Sequence, residues 1–68
     1  MKVFIEKDNT TIEFDLSTIE NQTGIGLLKE LGINSNTVLF VKNNEVIIPD
    51  EELSETDEVK LLSVISGG

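Results

Sequence analysis

The residues of this 68-residue chain with the most distinctive chemical potential are its last two, Gly67 and Gly68. They follow Glu58-Val-Lys-Leu-Leu-Ser-Val-Ile-Ser66, a run that reads as a β-strand leaving a small fold. Terminal residues ordinarily fray and do little chemistry. Two glycines without side chains, however, let a backbone thread a narrow channel and take angles closed to other residues. The expectation is that Gly67-Gly68 is the working end, a reachable carboxylate, and that the preceding residues are what a partner enzyme grips. Other chemistry is poorly supplied. The chain has no cysteine and no histidine, so a disulfide, a thiol nucleophile or a Cys/His metal cluster has no residues to draw on. The carboxylate pairs Glu51-Glu52 and Asp57-Glu58 have the residue types for acid–base work. They lie in polar sequence without pocket-forming apolar neighbours or a basic partner, and read as solvated surface. Gly24-Ile-Gly26 lacks a third glycine, a following lysine and a preceding strand, so it is not a phosphate cradle. We expect no catalytic residue, no metal site and no bound cofactor in the chain itself; it is not expected to be an enzyme.

Composition narrows the partners. Five lysines and no arginine stand against 13 Asp+Glu, a formal net charge of −8. A nucleic-acid binder needs cations to displace phosphate counterions, and this chain would be repelled. The acidity fits either simple solubility or attraction toward a basic protein partner. No apolar run approaches the ~20 residues of a membrane span. The first residues also lack the apolar core of a signal peptide, so a cytoplasmic protein is the expectation. A chain of this length forms one domain and buries only about 60% of its unfolded surface. With no disulfide or metal to help, Val, Ile, Leu and three Phe must make the core.

The elements that must position the tail follow from pattern. Lys2–Glu6 is rich in β-formers, and Asp8-Asn9 supplies turn chemistry. Thr11–Leu16 alternates, with Ile12, Phe14 and Leu16 on one face and Thr11, Glu13 and Asp15 on the other, which predicts a half-buried antiparallel strand and hence a hairpin. Residues 17–22 are polar and loop-like. Thr23 is the N-cap of a helix on which Ile25, Leu28 and Leu31 fall at helical spacing, and Gly32 stands where a left-handed C-cap belongs. Gly24 and Gly26 in the first turns admit two readings: a frayed helix start, at up to ~1 kcal/mol each relative to Ala, or close packing on the sheet. Thr37–Lys42 is a near-continuous apolar run of strand length, Asn43-Asn44 a turn, and Glu45–Ile48 a short strand ended by Pro49. A single helical turn is expected around Asp50–Leu53, and the last strand begins near Glu58.

The order β-β-α-β-β-β is an α+β layer of one main helix on a mixed sheet of four to five strands. With the first and last strands adjacent and parallel in the middle, it is the β-grasp arrangement. We divide the chain into a domain over 1–64 and a flexible tail over 65–68. One helix covers only one face of such a sheet, so apolar residues on the other face are informative. If Val59 and Leu61 face the helix, Leu62 and Val64 point to the open face. If Val3 and Ile5 face inward, Phe4 points outward between Lys2 and Glu6. Phe4 and Leu62 would then meet, with Phe40 or Val41 as a third member. A contiguous exposed apolar patch marks an interface, although a one-residue slip in register reverses every assignment.

The strand–helix order, the Asn43-Asn-Glu-Val-Ile-Ile-Pro49 hairpin and Asp57–Gly68 with its terminal Gly-Gly together resemble the ubiquitin-like sulfur carriers: ThiS, MoaD and the archaeal small ubiquitin-like modifier proteins. The resemblance spans essentially the whole chain. MoaD-like carriers commonly have prolines before the tail, whereas the spacing Val59-x-Leu61-x-x-x-Ile65-x-Gly67-Gly68 is more similar to ThiS and the archaeal modifiers. The resemblance implies that an E1-like enzyme, using ATP and magnesium held in its own site, adenylates the carboxylate of Gly68. Sulfur delivery then makes a thiocarboxylate for an acceptor enzyme, as in thiazole synthesis or tRNA thiolation. Alternatively, the activated carboxylate joins a lysine of a target protein. It further implies that the E1-like enzyme docks on Phe4, Leu62, Val64 and Phe40, with Ile65 and Ser66 leading the tail into its active site. A monomer is the expected state. A β-grasp binding module with incidental glycines is the competing reading.

Overall fold

The computed structural model describes residues 1–64. They form strands β1 (Lys2–Ile5), β2 (Thr10–Glu13), β3 (Val38–Lys42), β4 (Glu45–Val46) and β5 (Glu58–Ser63), with helix α1 (Gly24–Leu31) between β2 and β3. The sheet order is β2-β1-β5-β3-β4. β1 and β5 pair in parallel at the centre, and β2, β3 and β4 join by antiparallel pairing. This is the β-grasp arrangement expected from the order of the elements.

Local chemistry accounts for the joints. The β1–β2 connection is a 3₁₀ turn over Glu6–Asp8 closed by Asn9 at φ 49°, a left-handed angle that asparagine accepts better than most residues. Asn43 and Asn44 both take positive φ, 52° and 69°, as the tight two-residue hairpin between β3 and β4 requires. The alternation of Ile12, Phe14 and Leu16 holds, but β2 ends at Glu13 and Leu16 enters a 3₁₀ turn over Leu16–Thr18. Asp15 initiates that turn, accepting from the N–H and hydroxyl of Ser17 at 3.1 and 2.6 Å. These bonds, led by the Ser17 hydroxyl, hold the Asp15 carboxyl below its ordinary range.

Helix α1 begins and ends as its sequence predicts. The Thr23 hydroxyl accepts from the N–H of Gly26 at 3.4 Å, and Gly32 closes the C-terminus at φ 71°. The two early glycines are packing residues. A Cβ on Gly26 would lie 1.7 Å from the Asn21 carbonyl oxygen, and one on Gly24 2.7 Å from that of Pro49. The segment after β4 is pressed against this end, so that Ile25 donates to Pro49 O at 2.8 Å and Gly24 to Glu51 O at 3.1 Å. This contact replaces the helical turn expected at Asp50–Leu53. Glu52 bridges Thr23, and the N–H of Leu53 bonds Gln22 O while its side chain enters the core. β4 is also shorter than expected, because beyond Val46 only the Ile47 N–H returns to Phe40 O before Pro49 breaks the pairing.

The core lies between α1 and the inward face of the sheet: Val3, Val59, Leu61, Phe40, Leu27, Leu28, Leu16, Leu53 and Met1. No helix among the described residues is long and apolar enough to cross a membrane.

Candidate functional site: the open sheet face and the root of the tail

The pairing registers fix which side chains share the open face. β1 and β5 place Val3 opposite Val59 and Ile5 opposite Leu61, all inward, which leaves Phe4 opposite Lys60 on the outer face. Phe4 and Leu62 are half-buried and line one shallow groove of about 530 Å³ with Lys2, Thr11 and Lys60. Val64, one step past β5, keeps the outward parity and is 47% exposed. Three of the expected docking residues, Phe4, Leu62 and Val64, therefore lie on the open face where their parity put them.

Phe40 does not join them. β3 pairs with β5 so that Phe40 faces Leu61 and Leu39 faces Leu62. Phe40 is therefore a core residue, 2% exposed, packed beneath α1. A continuous apolar run carries no parity of its own, and only its pairing with β5 decides which side chains turn inward. The open-face member is Leu39, 39% exposed, opposite Leu62. Val41 shares that face opposite Lys60 and Val46, and lies outside the core cluster although it is buried. Sequence reasoning passed over Leu39 and Val46. The apolar surface thus runs from Phe4 across Leu62 to Leu39, with Lys60 rising in its middle and Lys2 at its border.

The end of the sheet from which the chain departs is held on both sides. Val64 donates to Thr37 O beside β3 at 3.1 Å, and Ser63 donates to the Glu6 carboxylate beside β1 at 2.7 Å. At the opposite end of β5, Asn43 makes three bonds: its backbone N–H donates to Glu58 O (2.8 Å), its side-chain Oδ1 accepts from the Glu58 N–H (2.9 Å) and its side-chain Nδ2 donates to Asp57 Oδ1 (2.9 Å). Asp57 also accepts from the Ser54 N–H at 2.8 Å. Partial desolvation pushes the Asp57 carboxyl up, but the bonds from Asn43 and Ser54 and the nearby charge of Lys42 together outweigh it and leave the group below its ordinary range. The central strand is anchored at both ends, and the chain leaves it from a fixed point. Ile65, Ser66, Gly67 and Gly68, and the expected flexible tail over 65–68, lie outside the described residues. Among the described residues, no group of three Asp or Glu side chains is placed to hold a metal ion.

Comparison with known proteins agrees with this architecture. The profile of the ThiS family matches residues 2–68. An uncharacterized protein of Archaeoglobus fulgidus is 37% identical over 65 residues, covering 96% of this chain and 91% of that protein. The sulfur carrier protein TtuB of Thermus thermophilus is 43% identical over 42 residues, which cover 62% of this chain and 65% of TtuB.

Proposed function

The chain belongs to the ThiS family, and from that membership we propose that it is a sulfur carrier whose Gly68 carboxylate is activated by an E1-like enzyme. A member of this family is a carrier rather than a catalyst. A carboxylate is a poor electrophile. Joining it to AMP with loss of pyrophosphate supplies a leaving group, and hydrosulfide, or sulfur delivered at the same oxidation level, that displaces AMP leaves a thiocarboxylate on Gly68. The partner holds the ATP and magnesium, which supply the phosphoryl leaving group and charge neutralisation of this step. The carrier contributes a docking surface, a strand of fixed direction and a terminus narrow enough to enter the partner's site. Phe4, Leu62, Val64 and Leu39 form the docking surface, Lys2 and Lys60 offer cations at and within it, and Ile65 and Ser66 lead to Gly67-Gly68. The thiocarboxylate then passes sulfur to an acceptor enzyme, in a thiazole-forming or tRNA-thiolating pathway. A target lysine attacking the same adenylate would instead make an isopeptide.

The observation that carries the reading is the central strand β5. It puts Leu62 on an uncovered face, with exposed Val64 one step past the strand, and delivers the chain from an anchored point in a sequence matched to the family over residues 2–68. The test is ATP–pyrophosphate exchange by the E1-like enzyme of the producing organism. We expect exchange that depends on the intact chain and disappears when Gly68 is deleted. Equal exchange with the deletion variant would overturn the proposal, as would none with the intact chain.

A further inference from the structure

We infer that Glu6 is a positioning residue for the reactive tail: its side chain stands in for a strand, holding the root of the tail where β1 has already turned away. The inference rests on the carrier reading for its functional meaning, but its structural part stands alone.

The N–H groups of β5 point alternately to its two neighbours. On the β3 side, Asn43 N bonds Glu58 O and Val64 N bonds Thr37 O. Even-numbered residues of β5 therefore direct their backbone polar groups toward β3, and odd-numbered residues toward β1. Ser63 N–H thus faces β1. The parallel register, with Ile5 opposite Leu61, makes the backbone carbonyl of Glu6 its next ladder acceptor. That carbonyl is committed elsewhere: it accepts from Asn9 N at 3.0 Å and closes the 3₁₀ turn that ends β1. The Glu6 side chain fills the place instead, accepting from Ser63 N at 2.7 Å across 57 residues of sequence. A carboxylate oxygen at this distance makes a charge-assisted bond to a backbone N–H.

The consequence is directional. Among the described residues, Ser63 is the last tied toward β1 and Val64 is tied toward β3, so the two bonds together fix the root from which the chain continues. Gly68 lies only four residues beyond Val64. Four residues span at most about 14 Å, so the position of the root limits where the carboxylate can reach, and misplacement of about an ångström at a reacting centre costs on the order of 10²-fold in rate at the extreme. Glu6 lies beside the docking patch without being one of its apolar members. Losing the bond should therefore affect turnover more than capture.

Two variants and two readouts test this. In Glu6→Ala, amide exchange at Ser63 measured by NMR should rise on the order of five-fold, as expected for losing one exposed charge-assisted bond. Leu61, whose N–H also faces β1, should change less than about two-fold. Glu6→Gln keeps a carbonyl oxygen and should recover most of the protection. In the exchange assay with the E1-like enzyme, Glu6→Ala should lower kcat by about three- to ten-fold with KM within about two-fold, and Glu6→Gln should lie between it and the wild type. Unchanged Ser63 exchange in Glu6→Ala overturns the clamp. A rise in KM alone would make Glu6 a docking contact, and equal loss in both variants would make its charge the relevant property; either overturns the positioning role. Should the wild-type chain support no exchange, the carrier reading falls, while the NMR arm still judges the clamp.

Discussion

Gly26 is the position at which the packing of this fold is most sharply testable. The helix begins against the turn that precedes it, and a Cβ at residue 26 would sit 1.7 Å from the carbonyl oxygen and 2.8 Å from the carbonyl carbon of Asn21. The first distance is more than an ångström short of any tolerated contact, and the obstacle is backbone, which cannot swing aside as a side chain would. Gly26→Ala must therefore move the helix or the turn. Overpacking of this kind costs about 1–3 kcal/mol, and the backbone obstacle puts the cost at the upper end. Alanine returns at most ~1 kcal/mol of helix propensity, so the net loss is about 2 kcal/mol. A domain of this size has on the order of 3–5 kcal/mol in total. The thermal midpoint should fall by roughly 8–16 °C, at about 4–8 °C per kcal/mol for a chain of this length. Far-UV circular dichroism against temperature, with urea titration for the free energy, reads this directly. An unchanged or raised midpoint would refute the packing account and make Gly26 a frayed helix position that alanine improves.

The same geometry sets other outcomes. Phe4→Asp and Leu62→Asp should each lower kcat/KM for activation by about ten-fold or more, as loss of a central apolar contact does at interfaces, with less than ~1 kcal/mol lost in urea titration; an unfolded spectrum for either would place that side chain in the core. Phe40→Ala should cost about 3–5 kcal/mol and leave little or no folded protein by circular dichroism, which separates its role from that of Leu39→Asp, expected to fold and to activate poorly. Asp57→Asn should lose about 1 kcal/mol at neutral pH by weakening the bonds from Asn43 and Ser54. Because the folded carboxyl titrates below its ordinary value of 3.8, that contribution is full above the unfolded value and is lost as pH falls through the folded one. The difference between wild type and Asp57→Asn should therefore close as pH drops below about 4, and a gap that is constant with pH would contradict the assignment.

Much of the fold was legible in the residues because several signals agreed. The alternation that begins at Thr11, the Thr23 cap and the Gly32 terminator each name one local structure, and the structure has them, with β2 stopping at Glu13 where the alternation alone would carry it to Leu16. The facing of β1 and β5 was legible for the same reason, since Val3, Ile5, Val59 and Leu61 alternate with Lys2, Phe4, Lys60 and Leu62. What failed had no local signal. Thr37–Lys42 is apolar throughout, so nothing in it separates Phe40 from Leu39 until β5 sets the register. The stretch after Pro49 has helix-compatible residues, but its carbonyls are drawn to the N–H groups of Gly24 and Ile25, a tertiary demand that local propensity does not carry. Gly24 and Gly26 supported fraying and packing equally, and only the neighbours at Pro49 and Asn21 decide. The bond from Ser63 to Glu6 joins residues 57 apart and exists only because a strand ended one residue too soon to supply its own carbonyl.

The central claim is that Gly68 carries sulfur, and mass spectrometry of the intact protein recovered from its native host under rapid denaturation tests it most directly. We predict a population in which one oxygen of the Gly68 carboxylate is replaced by sulfur, localised to the C-terminal peptide. Gly-Gly remnants of this chain on lysines of other proteins would reveal the isopeptide branch of the same activated carboxylate. A free carboxylate alone, with no such remnants even in cells starved of thiamine and growing fast, would contradict the claim and leave a β-grasp binding module.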